Sequence, residues 1–301
     1  MCSKEGKAMK GLELSEKYYE TYGQSMIENG FPEIAGQTAA GLVGYGSECL
    51  GFDDEISQDH DYGPSFCIWL PQEIYGQYGK KMQAAYDALP KAFMGFSERV
   101  EEAQGKGRVG VLCLEDFYRE ILGYNGMPHT EAEWLSIPEE AFATAVNGRV
   151  FEDRLGRFSE IRERLLRYYP DTVWRRKLAN ALAKAAQTGQ YNYARAMRRG
   201  ERIAAEIALT EFVKEAMHLV YLLNRKYAPF YKWMHRGLRE LAVGSEIGDM
   251  LSLLYQTQEE GDRVLIIEAV CNVLVQILQE RGLSDSLDNF LQSHVEQVLR
   301  K

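Results

Sequence analysis

The chain has 301 residues, of which 46% are hydrophobic, 26% charged and 11% aromatic, the balance of a soluble globular protein with room for two domains of ordinary size. A formal net charge of −9 disfavours nonspecific nucleic-acid binding, which depends on Lys and Arg neutralising phosphates. Five cysteines without a CxxC pair read as free thiols in a reducing compartment. With no signal-peptide pattern and no run of about 18 apolar residues, the expectation is a cytoplasmic protein that spans no membrane.

Residues 12–29 form an amphipathic helix pattern closed by Gly30, with Phe31-Pro32 as a stop. A short apolar run, residues 39–44, predicts a strand that breaks at the turn Gly44-Tyr45-Gly46-Ser47. An acidic stretch from Asp53 to Asp61 follows, then Gly63-Pro64 and a buried-strand run over 65–70. Residues 72–88 predict a helix, 108–114 a third strand, and Glu115 to Leu122 another helix. From about residue 130 the β signals fade. Leu209, Val213, Ala216, Val220 and Leu223 mark a helix buried on one side, and Ile267, Val270, Leu274, Ile277 and Leu278 repeat the period. These patterns predict an α/β domain over 1–128 and a helical domain over 129–301, joined at Gly123 to Pro128.

Transfer of a nucleotidyl group needs carboxylates to hold divalent ions and glycine to let backbone approach phosphate oxygens. Asp59 and Asp61, two residues apart on an extended segment, would share a face with Cα atoms about 6.5–7 Å apart. That spacing suits two metals about 3.5–4 Å apart. Gly46 has no Cβ to obstruct a phosphate, and Ser47 offers a hydroxyl and an N–H. Each signal alone is commonplace. Together, a strand, Gly46-Ser47, eleven residues, Asp-x-Asp and a second strand resemble the signature of the nucleotidyltransferase superfamily.

The stretches 44–71, 192–201 and 222–233 look like an uncharacterised bacterial family of nucleotidyltransferase-like proteins. The resemblance implies an α+β fold: a polymerase-β-like nucleotidyltransferase core followed by a C-terminal helical bundle, similar in layout to aminoglycoside nucleotidyltransferases. It also implies Mg²⁺ as cofactor, ATP or another NTP as donor, metal binding and catalysis by Asp59 and Asp61, and phosphate cradling by Gly46 and Ser47. The acceptor, a small molecule or a protein, is not implied. It would bind between the two domains.

The chain departs from that pattern twice. His60 stands where an apolar residue is usual, with Gly63-Pro64 interrupting the run before the strand. The third strand, Arg108 to Leu114, has no acid in its interior where the superfamily carries a third carboxylate; Gly110 stands there, and Glu115 and Asp116 just beyond it are the substitutes or simply acids at a helix start.

Lys232 and the i, i+3, i+4 set Arg195, Arg198 and Arg199 are further phosphate candidates, Lys232 and Arg195 with Arg199 foremost. Surface placement, or pairing with Glu201 or Glu206, explains them equally well. Glu48 either orients the turn or approaches the metal, with surface placement at a helix start equally open, and Asp53, Asp54 and Glu55 read as a solvated loop. Tyr191, Tyr193, Tyr227 and Trp233 either stack a ligand ring or pack in the core. Asp153 reads as the start of a turn completed by Gly156. His129, His218, His235 and His294 match no metal spacing.

Overall fold

The computed structural model describes residues 9–58, 62–99 and 107–300, so Asp59, His60 and Asp61 lie outside the described residues. Two compact units emerge, one from Met1–Pro128 and Ala141–Arg167, the other from His129–Glu140 and Tyr168–Lys301. The architecture is mixed α+β, mostly helical, with one small sheet.

In the first unit α1 (Gly11–Tyr18) runs through a π-turn at Tyr19–Gly23 into α2 (Gln24–Gly30), which stops where Gly30 and Phe31-Pro32 predict. Then come β1 (Ala39–Leu42), β2 (Cys67–Leu70), α3 (Gln72–Asp87), β3 (Gly110–Cys113) and α4 (Leu114–Leu122). Past α5 (Glu131–Ser136) and α6 (Glu139–Val146), the chain adds β4 (Arg149–Asp153) and α7 (Arg157–Leu166). The strand order is β3-β2-β1-β4. β1 is antiparallel to β2 and β4, whereas β2 and β3 are parallel and therefore need the crossover helix α3.

Strand β2, Cys-Ile-Trp-Leu, is buried throughout, which its unbroken apolar run requires. Side chains alternate across it. Ile68 and Leu70 enter a core with Tyr18, Tyr19, Phe66 and Met82. Trp69 faces the other way, stacked on Phe158 at 4.0 Å between ring centroids and edge-on to Phe117.

The register decides what meets at each end of the sheet. Gly41 and Gly110 both oppose Cys67, and Leu42 opposes Arg149. The carboxyl end of β1 therefore lies beside the amino ends of β2, β3 and β4.

Strand β4 lies beyond residue 128 yet belongs to the first unit's sheet. Its sequence, Arg-Val-Phe-Glu-Asp, is charged at both termini and only partly buried at the sheet edge, so it carries little apolar alternation. Pairing with β1 draws residues 141–167 into the first unit.

The second unit is helical. α8 (Asp171–Ala185) passes through a π-helical stretch, Ala186–Tyr193, into α9 (Ala194–Arg198). α10 (Arg202–Leu223), α11 (Tyr231–Leu238), α12 (Gly244–Gln256), α13 (Glu260–Glu280) and α14 (Val295–Arg300) complete it. Both predicted stripes, on α10 and α13, are buried. Among the described residues no helix is long and apolar enough to cross a membrane.

Candidate functional site

β1 ends in the turn Gly44-Tyr45-Gly46-Ser47. Two glycines there hold φ values of +124° and +130°, which residues with a Cβ rarely adopt. A Cβ on Gly46 would also stand 2.5 Å from the Glu48 carboxylate. Asn147, just before β4, braces the turn from both sides. Gly44 N–H donates to its Oδ1 at 2.8 Å, and its Nδ2 donates to the Gly44 carbonyl at 2.7 Å. Gly148 N–H reaches the Cys49 carbonyl at 2.7 Å, and the Ser47 carbonyl accepts from Leu50 and Phe52. The Gly46 and Ser47 amides donate to no acceptor among the described residues. Two N–H groups in a fixed glycine turn are suited to an anion.

Behind the turn lies a buried charge cluster. Glu48, 5% exposed, pairs with Arg99 at 3.2 Å, and the same guanidinium donates to Ser65 Oγ at 3.3 Å. Burial pushes the Glu48 carboxyl above its ordinary range against the pull of Arg99. Asp53 is 3% exposed, accepts the Gly11 N–H at 2.8 Å and faces Lys10 at 3.6 Å. Glu48 is therefore not at the surface. Asp53 is no part of a solvated loop, whereas Asp54 and Glu55 are exposed. Asp53 needs a backbone donor forty-two residues away, Gly11, which no local pattern reveals. Arg99 was equally hidden, because its partner is 51 residues distant.

Gly110 holds φ +97°, which residues with a Cβ rarely adopt, so the position disfavours an acid. Glu115 lies past the carboxyl ends of β2 and β3, the opposite end of the sheet from the Gly46-Ser47 turn. One of its oxygens accepts the Gln72 N–H at 2.9 Å, and the other pairs with Arg157 at 2.7 Å. Asp116 pairs with Arg119 at the surface. Both acids serve helix starts and local ion pairs. Asp153 caps α7 from outside, accepting from Gly156 and Ser159 at 2.8 and 2.7 Å, as the turn reading expects.

Lys232, Arg195 and Arg199 belong to the second unit and do not form one cluster there. Arg199 leads directly into the amino end of α10, while Met234, two residues past Lys232, accepts the Tyr221 hydroxyl near its carboxyl end. From Arg202 to Tyr221 the helix rises about 28 Å, so one phosphate cannot engage both groups. Arg195 lies over the exposed Tyr191 ring at 4.7 Å, and Lys232 over Trp233 at 5.4 Å. Glu206 pairs with Arg263, not with these arginines. Tyr193 is fully buried, and Tyr227 packs on Tyr168 and Tyr169 at 4.8 and 5.0 Å, which gives both to the core.

The second unit has a polar cluster of its own. Glu139 accepts the Ala228 N–H at 3.2 Å, and Lys177 lies over the Tyr169 ring at 4.9 Å. Burial raises the Glu139 carboxyl and depresses the Lys177 ammonium. Within α10, Glu215 approaches both Lys184 and His218. Among the described residues, no three His, Cys, Asp or Glu side chains stand together as a metal site.

A family model described as a domain of unknown function (DUF4037) matches residues 134–234. No curated protein and no solved structure matches the chain.

Proposed function

We propose that the protein is a Mg²⁺-dependent nucleotidyltransferase that moves a nucleoside monophosphate from ATP or another NTP to a hydroxyl of a small molecule or protein, releasing pyrophosphate. The observation that carries this reading is the braced Gly44–Ser47 turn. It presents two amides that donate to no acceptor among the described residues, at the sheet end where Tyr62 and Gly63 lead into β2. Gly46 and Ser47 hold the donor phosphates. Asp59 and Asp61 are hard oxygen donors of the kind Mg²⁺ shares with phosphates, and they would hold the ion. Bound there, Mg²⁺ supplies charge neutralisation to the triphosphate. The carboxylates Glu48 and Asp53 are paired with Arg99 and Lys10. Buried free thiols at Cys49, Cys67, Cys113 and Cys271 suit a cytoplasmic setting.

A second reading, a nucleotide sensor or scaffold with weak or no turnover, is favoured by one observation. Gly110 holds φ +97°, a conformation that an acid rarely adopts, and Glu115 is engaged at the far end of the sheet. Incubation of labelled NTPs with candidate hydroxyl acceptors and cell lysate separates the two. Transfer by the wild type that disappears in Asp59→Ala and Asp61→Ala establishes the enzyme. Transfer that survives both substitutions refutes the metal assignment. A Mg²⁺-dependent thermal shift with NTP but no transfer selects the sensor; a ligand at about 100 times its Kd stabilises by about 2.7 kcal/mol.

A further inference from the structure

We propose that Arg195, Arg198, Arg199 and Arg202, with the exposed ring of Tyr191, form a docking surface for single-stranded nucleic acid on the second unit. These residues take no part in the glycine turn, which belongs to the first unit.

From residue 186 to residue 205 the chain carries four arginines against one acid, Glu201. Arg195, Arg198 and Arg199, at i, i+3 and i+4 along α9 and its cap, share one face. Gly200, at φ +77°, closes that helix, and Arg202 opens α10. Three residues of chain span at most about 11 Å, so Arg202 stays beside Arg199. All four arginines are exposed.

Pairing within the fold does not account for them. Glu206 is taken by Arg263, and among the described residues no carboxylate pairs with Arg195, Arg198, Arg199 or Arg202. Arg198 donates only along its own helix, to the Ala194 carbonyl at 3.2 Å. Arg195 lies over the Tyr191 ring at 4.7 Å, and that ring is still 47% exposed. Like charges three and four residues apart on a helix destabilise it unless an anion lies between them.

The choice of anion follows from the setting. An ion pair on an open helix surface contributes little by itself, so a ligand with one charge would be held weakly. A strand of linked phosphates adds such contacts together, and each one releases counterions to the solvent. All four cations are arginines, whose planar fork meets phosphate oxygens in pairs. Tyr191 supplies what a site for a plain polyanion lacks, an exposed aromatic ring beside the cations on which an unpaired base stacks. The net charge of −9 opposes binding over the chain as a whole, and the local excess of arginine reverses it here.

The test is fluorescence anisotropy of the full-length protein with a short labelled single-stranded RNA, and with a DNA strand of the same sequence, over a range of KCl concentrations. Binding of either strand is expected. The logarithm of affinity should fall with the logarithm of salt with a slope of about −0.7 per phosphate engaged, or about −2.8 for four contacts. Arg198→Gln/Arg199→Gln should halve that slope. Tyr191→Ala should weaken binding about tenfold without changing the slope, and Tyr191→Phe should bind as the wild type does. Lys80→Gln/Lys81→Gln, which removes the same charge from exposed positions on α3, should leave affinity and slope as they are. Urea midpoints check that the variants are folded, and Arg198→Gln alone, with about a quarter of the slope lost, keeps the test open should the double variant fail to fold. Failure of the wild type to bind either strand overturns the assignment, as does an undiminished slope in the folded arginine variants. An equal loss in the lysine variant also overturns it, because the effect is then one of overall charge. Binding of the annealed duplex as tightly as the strand, or of a polyglutamate peptide as tightly and without dependence on Tyr191, overturns it in favour of a partner recognised by charge alone.

Discussion

Glu48 and Arg99 each keep only 7% of their side-chain surface in water, so neither can lose the other cheaply. Removing one partner of a buried pair leaves a charge without compensation, which costs about 3–5 kcal/mol, while replacing both by apolar groups costs far less. Glu48→Gln and Arg99→Met should each lower stability by about that amount in urea denaturation. The double variant Glu48→Leu/Arg99→Met should lose much less than the sum, and full additivity would mean the pair is not coupled. From the sequence, Glu48 was one acid among several following a turn. Its burial depends on Arg99, and nothing in the local pattern of either residue announces the other. Gly46 was legible for the opposite reason, since the need for an unhindered, positive-φ residue is local.

At the scale of elements, the helices were found by period and by their stops. α10 and α13 bury the stripes that their spacing marks, and α2 ends at Gly30. What periodicity does not reveal is the electrostatics of a helix start. Glu139, the first residue of α6, stands where the helix dipole favours a carboxylate. Burial outweighs that preference and the pull of His218, Ala228 N–H and Lys177, and the group is raised above its ordinary 4.5. The folded protein therefore holds this proton more tightly than the unfolded chain. The stability it contributes is complete below pH 4.5 and is lost as pH rises through the raised value. Glu139→Gln keeps an acceptor for Ala228 N–H and removes the titration. Relative to wild type, the variant should gain stability as pH climbs above 4.5 in urea midpoints, and a difference independent of pH would contradict the assignment.

For the molecule as a whole, the decisive element is β4. It pairs with β1, and the segment around it supplies Asn147 and Gly148 to the glycine turn and Phe158 to Trp69. A fragment of residues 1–128 lacks all of these and should not unfold cooperatively. A fragment of residues 1–167 restores the fourth strand and the stacked pair, worth about 0.5–1.5 kcal/mol beyond its buried area, and should show a cooperative urea transition. A cooperative transition in the shorter fragment would show that β4 is dispensable.

The sequence by itself determined the first three strands, the glycine turn, the main helices and their stops. Each of those rests on neighbours within a few residues: side-chain period, an apolar run, a glycine or proline at a break. Only the tertiary structure decided that β4 closes the sheet and that Glu48 and Asp53 are buried. It alone brought Arg99 to the turn, left Glu115 at the opposite end, and set Lys232 and Arg199 at different ends of α10. Those outcomes follow from strand register and helix length, which join residues tens of positions apart and leave no trace in local spacing.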